Sequence, residues 1–348
     1  MSPNFDFQAL ARPNIWALRP YSSARDEYKG KDAIFLDANE NPFNSPFNRY
    51  PDPRQNRLKQ AVAELKGLRP EQVFLGNGSD EAIDLLFRVF CRPGQDNVLS
   101  IHPSYGMYQV CADVNDIELR PVLLRPDFTL DAEALLRASD ANSKIIFLCS
   151  PNNPTANALD WPSIRALLEG FPGLVVVDEA YIDFCPEKSV LAHLERYPNL
   201  VVLQTFSKAW GMASLRLGMA LAHPTLIGLM SKVKYPYNLN ALTQEKALEL
   251  LKTPERKDGW VRELLAQRAF VADHLRNLAE VEEVYPSDAN FLLVKVRQAR
   301  EVYKLLVERK VVVRDRSQLA LCEGCLRVTI GSPAENAQLL EELRALVP

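Results

Sequence analysis

From residue 73 onward, short apolar runs alternate with stretches in which apolar residues recur every three or four positions. Val73-Phe74-Leu75 is followed by Ile83, Leu86, Phe87 and Phe90, which fall at i, i+3, i+4 and i+7. That spacing predicts a strand and then a helix with one buried face, ended by Pro93-Gly94. Apolar runs at 98–101, 145–149, 174–177 and 200–203 read as further buried strands, and 218–222 as a strand turning back. Helical patterns precede or separate them at 54–66, closed by Gly67, after Tyr105, and at 161–169. Strands alternating with amphipathic helices predict an α/β domain of three layers, a mainly parallel sheet covered on both faces. In such sheets ligands lie beyond the carboxyl ends of the strands.

The texture changes after Tyr235-Pro236-Tyr237. Long helices are predicted over 243–251 and 261–279, strands over 290–296 and 326–330, and helices over 302–308 and 335–346. Lacking regular alternation, this part reads as a smaller α+β domain. The first 36 residues, rich in Pro, Tyr and Arg, read as an arm packed beside it. The expected division is therefore an N-terminal arm and part of the small domain (1–36), a large domain (37–240) and a small C-terminal domain (241–348). Internal repeats and low-complexity tracts are absent.

Composition narrows the function classes. With 348 residues and 47% hydrophobic content, the chain can bury two sizeable cores. A net charge of −3 without a basic run argues against nucleic-acid binding. Six scattered cysteines and four scattered histidines form no complete metal set, Cys322 and Cys325 making a single CxxC, so free thiols in a reducing cytoplasm are expected. Neither a signal pattern at the N-terminus nor a bilayer-length apolar run is present, so no membrane association is expected.

Polar clusters sit directly after the predicted strands. Gly76-Asn77-Gly78-Ser79-Asp80-Glu81 combines a tight turn with a helix start, where Ser79 and Asp80 are expected to cap; its free N–H groups suit a phosphate monoester. Asp178 ends the 174–177 run, with Tyr181 three residues on; Tyr105 follows His102-Pro103-Ser104; Asn153 lies in Ser150-Pro151-Asn152-Asn153-Pro154-Thr155. After the 200–203 run comes Thr205-Phe206-Ser207-Lys208-Ala209-Trp210, with Arg216 eight residues beyond the lysine. Partial burial would lower the Lys208 pKa and make it nucleophilic. Arg327 is out of place among the apolar residues of 326–330 and calls for a carboxylate or phosphate. Taken singly, each has a plainer reading: a surface lysine, a capped turn, a helix-capping acid, a core tyrosine, turn chemistry, a surface ion pair. Together they make a phosphate cradle, an aromatic plate, an acid, a phenol, an amide, a lysine and two arginines, which fits pyridoxal 5′-phosphate.

The chain resembles the fold-type I pyridoxal-phosphate aminotransferases, and among them the histidinol-phosphate branch, over essentially its whole length. The resemblance rests on Pro20 to Arg25, Asp37-Ala38-Asn39-Glu40-Asn41-Pro42, Arg49-Tyr50-Pro51, Gly78-Ser79-Asp80-Glu81 and Pro103-Ser104-Tyr105-Gly106-Met107-Tyr108. It continues through Cys149 to Thr155, Asp178-Glu179-Ala180-Tyr181-Ile182-Asp183-Phe184, Thr205 to Ala209 and Cys325 to Gly331. It implies that Lys208 carries the cofactor and moves the substrate proton, Asp178 pairs with the ring nitrogen, Tyr181 and Asn153 bond the ring oxygen, and Tyr105 stacks on the ring. It further implies that the Ser79 and Asp80 amides, Ser207 and Arg216 hold the cofactor phosphate. Tyr50 is implied to reach the cofactor of a neighbouring subunit, hence a homodimer with shared active sites. Arg327 is implied to bind the glutamate carboxylate, and with Tyr21, Arg314 and Asn153 to meet the amino donor. The implied activity is ping-pong transamination between L-histidinol phosphate and 2-oxoglutarate through the pyridoxamine form, in histidine biosynthesis. Aromatic amino-acid transamination and decarboxylation of threonine phosphate are the alternatives on the same scaffold. A non-enzymatic effector-binding module, as in some transcription regulators, would need an added DNA-binding segment for which this chain has no room. Ala156 and Ser214 stand where the family usually has glycine, so a positive φ at either would be strained.

Overall fold

A computed structural model describes residues 5–21 and 33–345. Seven strands form the larger sheet: β1 (Val73–Asn77), β2 (Asn97–His102), β3 (Glu118–Leu123), β4 (Ser143–Cys149), β5 (Leu174–Asp178), β6 (Leu200–Thr205) and β7 (Leu217–Ala222). Their order is β1-β7-β6-β5-β4-β2-β3, and only β7 runs against the rest. Successive side chains on a strand point to opposite faces. Leu75, Ile146, Leu148, Val175, Val177 and Val202 accordingly enter one core cluster, whereas Phe74, Ile145, Phe147, Val176 and Val201 enter another on the opposite face. Helices cover both clusters, which is why the central strands are uninterrupted apolar runs.

The second sheet has β8 (Val281–Val284), β9 (Phe291–Val296), β10 (Arg314–Asp315) and β11 (Cys325–Thr329), antiparallel in the order β10-β11-β9-β8. It packs with the helices Pro254–Arg276, Ala299–Glu308 and Pro333–Arg344 around Val271, Leu292, Val294, Leu326 and Leu340. A smaller cluster holding Ala156, Tyr181, Phe184, Val261 and Phe291 joins the two assemblies beneath the strand ends.

Several elements depart from the sequence reading. Residues 5–17 do not lie beside the second sheet. Phe7 and Ala11 bury into the larger sheet's second core, Phe7 stacks on His223 at 5.0 Å, and Arg12 Nη1 donates to the Arg88 carbonyl. The short helices Phe7–Leu10 and Pro13–Trp16 thus find their apolar partners on the large sheet. The long helix begins at Pro254 rather than 261, because proline suits the first helical position and Glu255 the positive end of the dipole. Strand β3 escapes an apolar-run criterion because it is a half-exposed edge containing Pro121. Of the motif Pro20 to Arg25, residues 22–25 lie outside the described residues, as do residues 1–4 and 26–32 of the arm and residue 346 of the terminal helix. Among the described residues, no helix is long and apolar enough to cross a membrane.

Candidate active site

The carboxyl ends of the parallel strands meet at one pocket. Asp178, last in β5, pairs with Cys149 of β4 and Leu203 of β6, so three strand ends sit side by side. Gly78, Ser79, Asp80, Tyr105, Asn153, Asp178, Tyr181, Ser207, Lys208 and Arg216 line this pocket together with Cys149, Ala180 and Thr205. A wider groove, bordered by Phe5, Lys144, Gly173 and Asn199, opens at the amino ends of the strands and holds none of these groups.

The turn after β6 is pinned from below. Phe206, Trp210 and Met212 are buried, the Met212 N–H donates to the Phe206 carbonyl and the Ser207 N–H to Thr205 Oγ1. This leaves Lys208 at the rim of the pocket, its Nζ 5.4 Å from the Tyr181 ring centroid. The lysine is open to solvent within the cleft, yet desolvation by the surrounding walls lowers its pKa, and the Arg327 charge lowers it further.

The phosphate-type cradle arises where β1 meets the helix Gly78–Phe90. Gly78 has φ +71°, its N–H donates to the Arg216 carbonyl at 2.7 Å, and a Cβ there would strike the Arg216 guanidinium. A Cβ on Gly218 would collide with the Ser79 backbone, so only glycine lets β7 approach the helix start. Ser79 and Asp80 do not cap. The cap position is Asn77, whose side chain makes no capping bond, and Ser79 and Asp80 lie in the first turn, their N–H groups without acceptors among the described residues. The Asp80 carboxylate instead accepts from Tyr105 Oη at 3.0 Å and Arg216 Nη2 at 3.3 Å, orienting both.

Asp178 is fully buried. Burial pushes its carboxyl up to about 6, against the pull of hydrogen bonds from Tyr108 Oη at 2.9 Å and the Ala180 N–H at 3.1 Å. Tyr108 was not singled out from the sequence, although it follows Tyr105 by one helical turn; its ring stacks on Phe147 at 4.9 Å. Burial also raises the phenols of Tyr105 and Tyr181, which stay protonated donors at neutral pH. Ala156 does have a left-handed backbone, φ +69°, but its buried methyl packs with Tyr181 and Phe291; Ser214 has no positive φ.

At the pocket's outer side Arg327 of β11 donates from Nη1 to Asn153 Oδ1 at 2.6 Å and lies 5.4 Å over Phe291. Arg314 stands directly opposite it on β10. Arg316, which sequence reasoning passed over, follows on the same strand edge. Tyr21 and Tyr50 are not brought into this pocket. Tyr21 is 72% exposed by a groove containing Pro53 and Lys232, and Tyr50, 51% exposed, stacks on Tyr237 at 4.4 Å.

The free N–H groups of a thirteen-residue helix beside an arginine, a phenol ring, a buried acid and a pKa-lowered lysine fit a phosphorylated aromatic aldehyde with a basic ring nitrogen. Comparison with known proteins agrees in kind. The family description "aminotransferase class I and II" matches residues 30–343. The histidinol-phosphate aminotransferase of Parabacteroides distasonis is 56% identical over 97% of this chain and 98% of its own. Among solved structures, the histidinol-phosphate aminotransferase of Clostridium acetobutylicum aligns with a TM-score of 0.80 at 21% identity, covering 86% of this chain and 91% of that one. That of Sinorhizobium meliloti, in complex with pyridoxal 5′-phosphate, aligns with a TM-score of 0.79 at 23% identity, covering 86% and 84%. Identity of this extent, sustained through both sheets, means that the chain belongs to the class I and II aminotransferases and, within them, to the histidinol-phosphate aminotransferases.

Proposed function

We propose that this protein uses pyridoxal 5′-phosphate to transfer an amino group between L-histidinol phosphate and 2-oxoglutarate, giving imidazole acetol phosphate and L-glutamate. The observation that carries the reading is that Lys208 and Asp178 lie at adjacent strand ends in one pocket, between a helix N-terminus and Arg327. When bound, the cofactor supplies an aldehyde that condenses with amines and a ring that accepts the electron pair left on the donor carbon. The backbone N–H groups of Ser79 and Asp80, the Ser207 hydroxyl and Arg216 hold its phosphate. Tyr105 covers the ring, Asp178 keeps a proton on the ring nitrogen, and Tyr181 and Asn153 donate to the ring oxygen. The Lys208 amine, its pKa lowered by the pocket walls and by the Arg327 charge, is the group that attaches the cofactor and takes the proton from the donor Cα. Arg327 binds the carboxylate of glutamate or the phosphate of the amino donor, with Arg314 beside it. Tyr21 completes the proposed contacts to the amino donor from its exposed position.

We further propose a homodimer through the surface around Phe47, Tyr50, Tyr237 and Leu242, which brings Tyr50 to the partner's cofactor. The domain division is taken at residues 240 and 241, although Ala247 of the helix Ala241–Leu250 is buried with Leu58 and Val62 of the larger unit. Six buried free cysteines support a cytoplasmic location.

The decisive experiment is incubation of the purified, cofactor-loaded protein with 2-oxoglutarate and each candidate amine. Glutamate formation from L-histidinol phosphate is expected, and Lys208→Ala should abolish both that turnover and the visible band of the lysine-linked cofactor. Carbon dioxide release from threonine phosphate without glutamate, or a preference for phenylalanine, would overturn the substrate assignment.

A further inference from the structure

We propose that Arg316 is a third anion-binding side chain of the substrate pocket, selecting the doubly charged phosphate of the amino donor over a single carboxylate. The proposal rests on the histidinol-phosphate reading above.

Arg314 lies directly opposite Arg327 in the β10–β11 pair, and the ladder continues one residue on, where the Arg316 N–H donates to the Cys325 carbonyl at 2.9 Å. Residues two apart on a strand share a face, as do residues directly opposite in an antiparallel pair. Arg314, Arg316 and Arg327 therefore share one face. Asp315 between them is turned elsewhere, its carboxylate accepting from the Ser317 N–H and hydroxyl.

Three guanidinium groups thus lie on one face, near enough for the charges of Arg327 and Arg314 to act on Arg316, and none has a carboxylate partner among the described residues. The Nε atoms of Arg316 and Arg327 are both buried without an acceptor. Such donors are costly to leave unmade, and like charges held together add to the cost. Burial, followed by the charges of Arg327 and Arg314, lowers the pKa of Arg316, consistent with a cation waiting for an anion.

The anion's chemistry follows from what each arginine can still offer. Arg327 already gives Nη1 to Asn153, so its remaining edge, Nε with Nη2, can satisfy one carboxylate bidentately. That suffices for the α-carboxylate of glutamate. A phosphate monoester carries nearly two charges and three terminal oxygens, so part of it stays unserved by that edge alone. The orphaned Nε of Arg316, on the same face, supplies the missing donor and charge.

The test compares holoenzyme variants in the two half-reactions, followed by rapid mixing, with inorganic phosphate as a competing anion. Arg316→Gln should weaken apparent binding of L-histidinol phosphate by about 10- to 100-fold, the range for a hydrogen bond to a charged group. Binding of L-glutamate should weaken several-fold less. The inhibition constant of inorganic phosphate against the glutamate half-reaction should rise roughly tenfold or more. Arg316→Lys, which keeps the charge but loses the fork, should recover part of both losses and serves alone if the Gln variant does not fold. Equal weakening for both substrates would make Arg316 a structural support and overturn the proposal, as would an unchanged phosphate inhibition constant. If the wild-type protein accepts glutamate but not L-histidinol phosphate, the functional reading fails, and the phosphate inhibition constants alone decide for or against Arg316.

Discussion

Asp178 illustrates how a buried carboxylate is kept usable. Desolvation favours its neutral form, and two donors, Tyr108 Oη and the Ala180 N–H, offset part of that penalty. A hydrogen bond to an ionised group contributes about 1.5–3 kcal/mol. Tyr108→Phe should therefore lower kcat roughly tenfold, since about 1.4 kcal/mol is a factor of ten. The ring's stacking on Phe147 is retained, so the fold should hold. The acid limb of the pH–rate profile should also move to higher pH, because Asp178 without that donor ionises later. Steady-state kinetics between about pH 5 and pH 9 check both effects. An unchanged rate and profile would remove Tyr108 from the positioning of Asp178.

The segment just beyond β5 carries a second buried acid with a different consequence. Glu179 accepts from the Val190 N–H at 2.6 Å, from Gln204 Nε2 at 2.8 Å and from Ser189 Oγ at 2.8 Å, tying β5, β6 and the 189–190 segment together. Burial nevertheless raises its carboxyl to about 7, with Lys66 pulling weakly downward. A folded-state pKa above the unfolded value of about 4.5 means stability that is complete below that value and lost as pH rises through about 7. Glu179→Gln removes this titration, and its new N–H₂ can meet the unpartnered Oε1 of Gln204. Relative to wild type, the variant should gain at least about 2–4 °C in Tm between pH 5 and pH 8, read by thermal melts of the cofactor-free protein. Parallel pH dependence of the two proteins would rule the linkage out.

At the scale of the whole molecule, Ile34, Leu36, Phe43 and Phe47 are each at least 64% exposed, and Phe47 borders Tyr50, Tyr237 and Leu242. Exposed apolar surface of this kind is what the proposed homodimer would cover. Light scattering should accordingly give twice the 39.3 kDa chain mass, and Tyr50→Phe should loosen cofactor retention measured by dialysis. A monomer would remove the shared-site argument. Much of this architecture was legible in the sequence. The six strands of the larger sheet other than β3 announced themselves as apolar runs because a strand covered on both faces has no polar side to show. The pocket residues were legible for a related reason: in a parallel sheet the chain must leave each strand at the same end, so polar clusters after successive strands converge. Lys208, Asp178, Ser79, Asp80, Asn153 and Arg216 were found that way. What local pattern does not encode is pairing between distant segments. That the N-terminal helices pack on the large sheet depends on which apolar surface is left open to them. That Asp80 holds Tyr105 and Arg216 and that Tyr108 reaches Asp178 depends on close approach between residues far apart in the chain, and only the tertiary structure decided it.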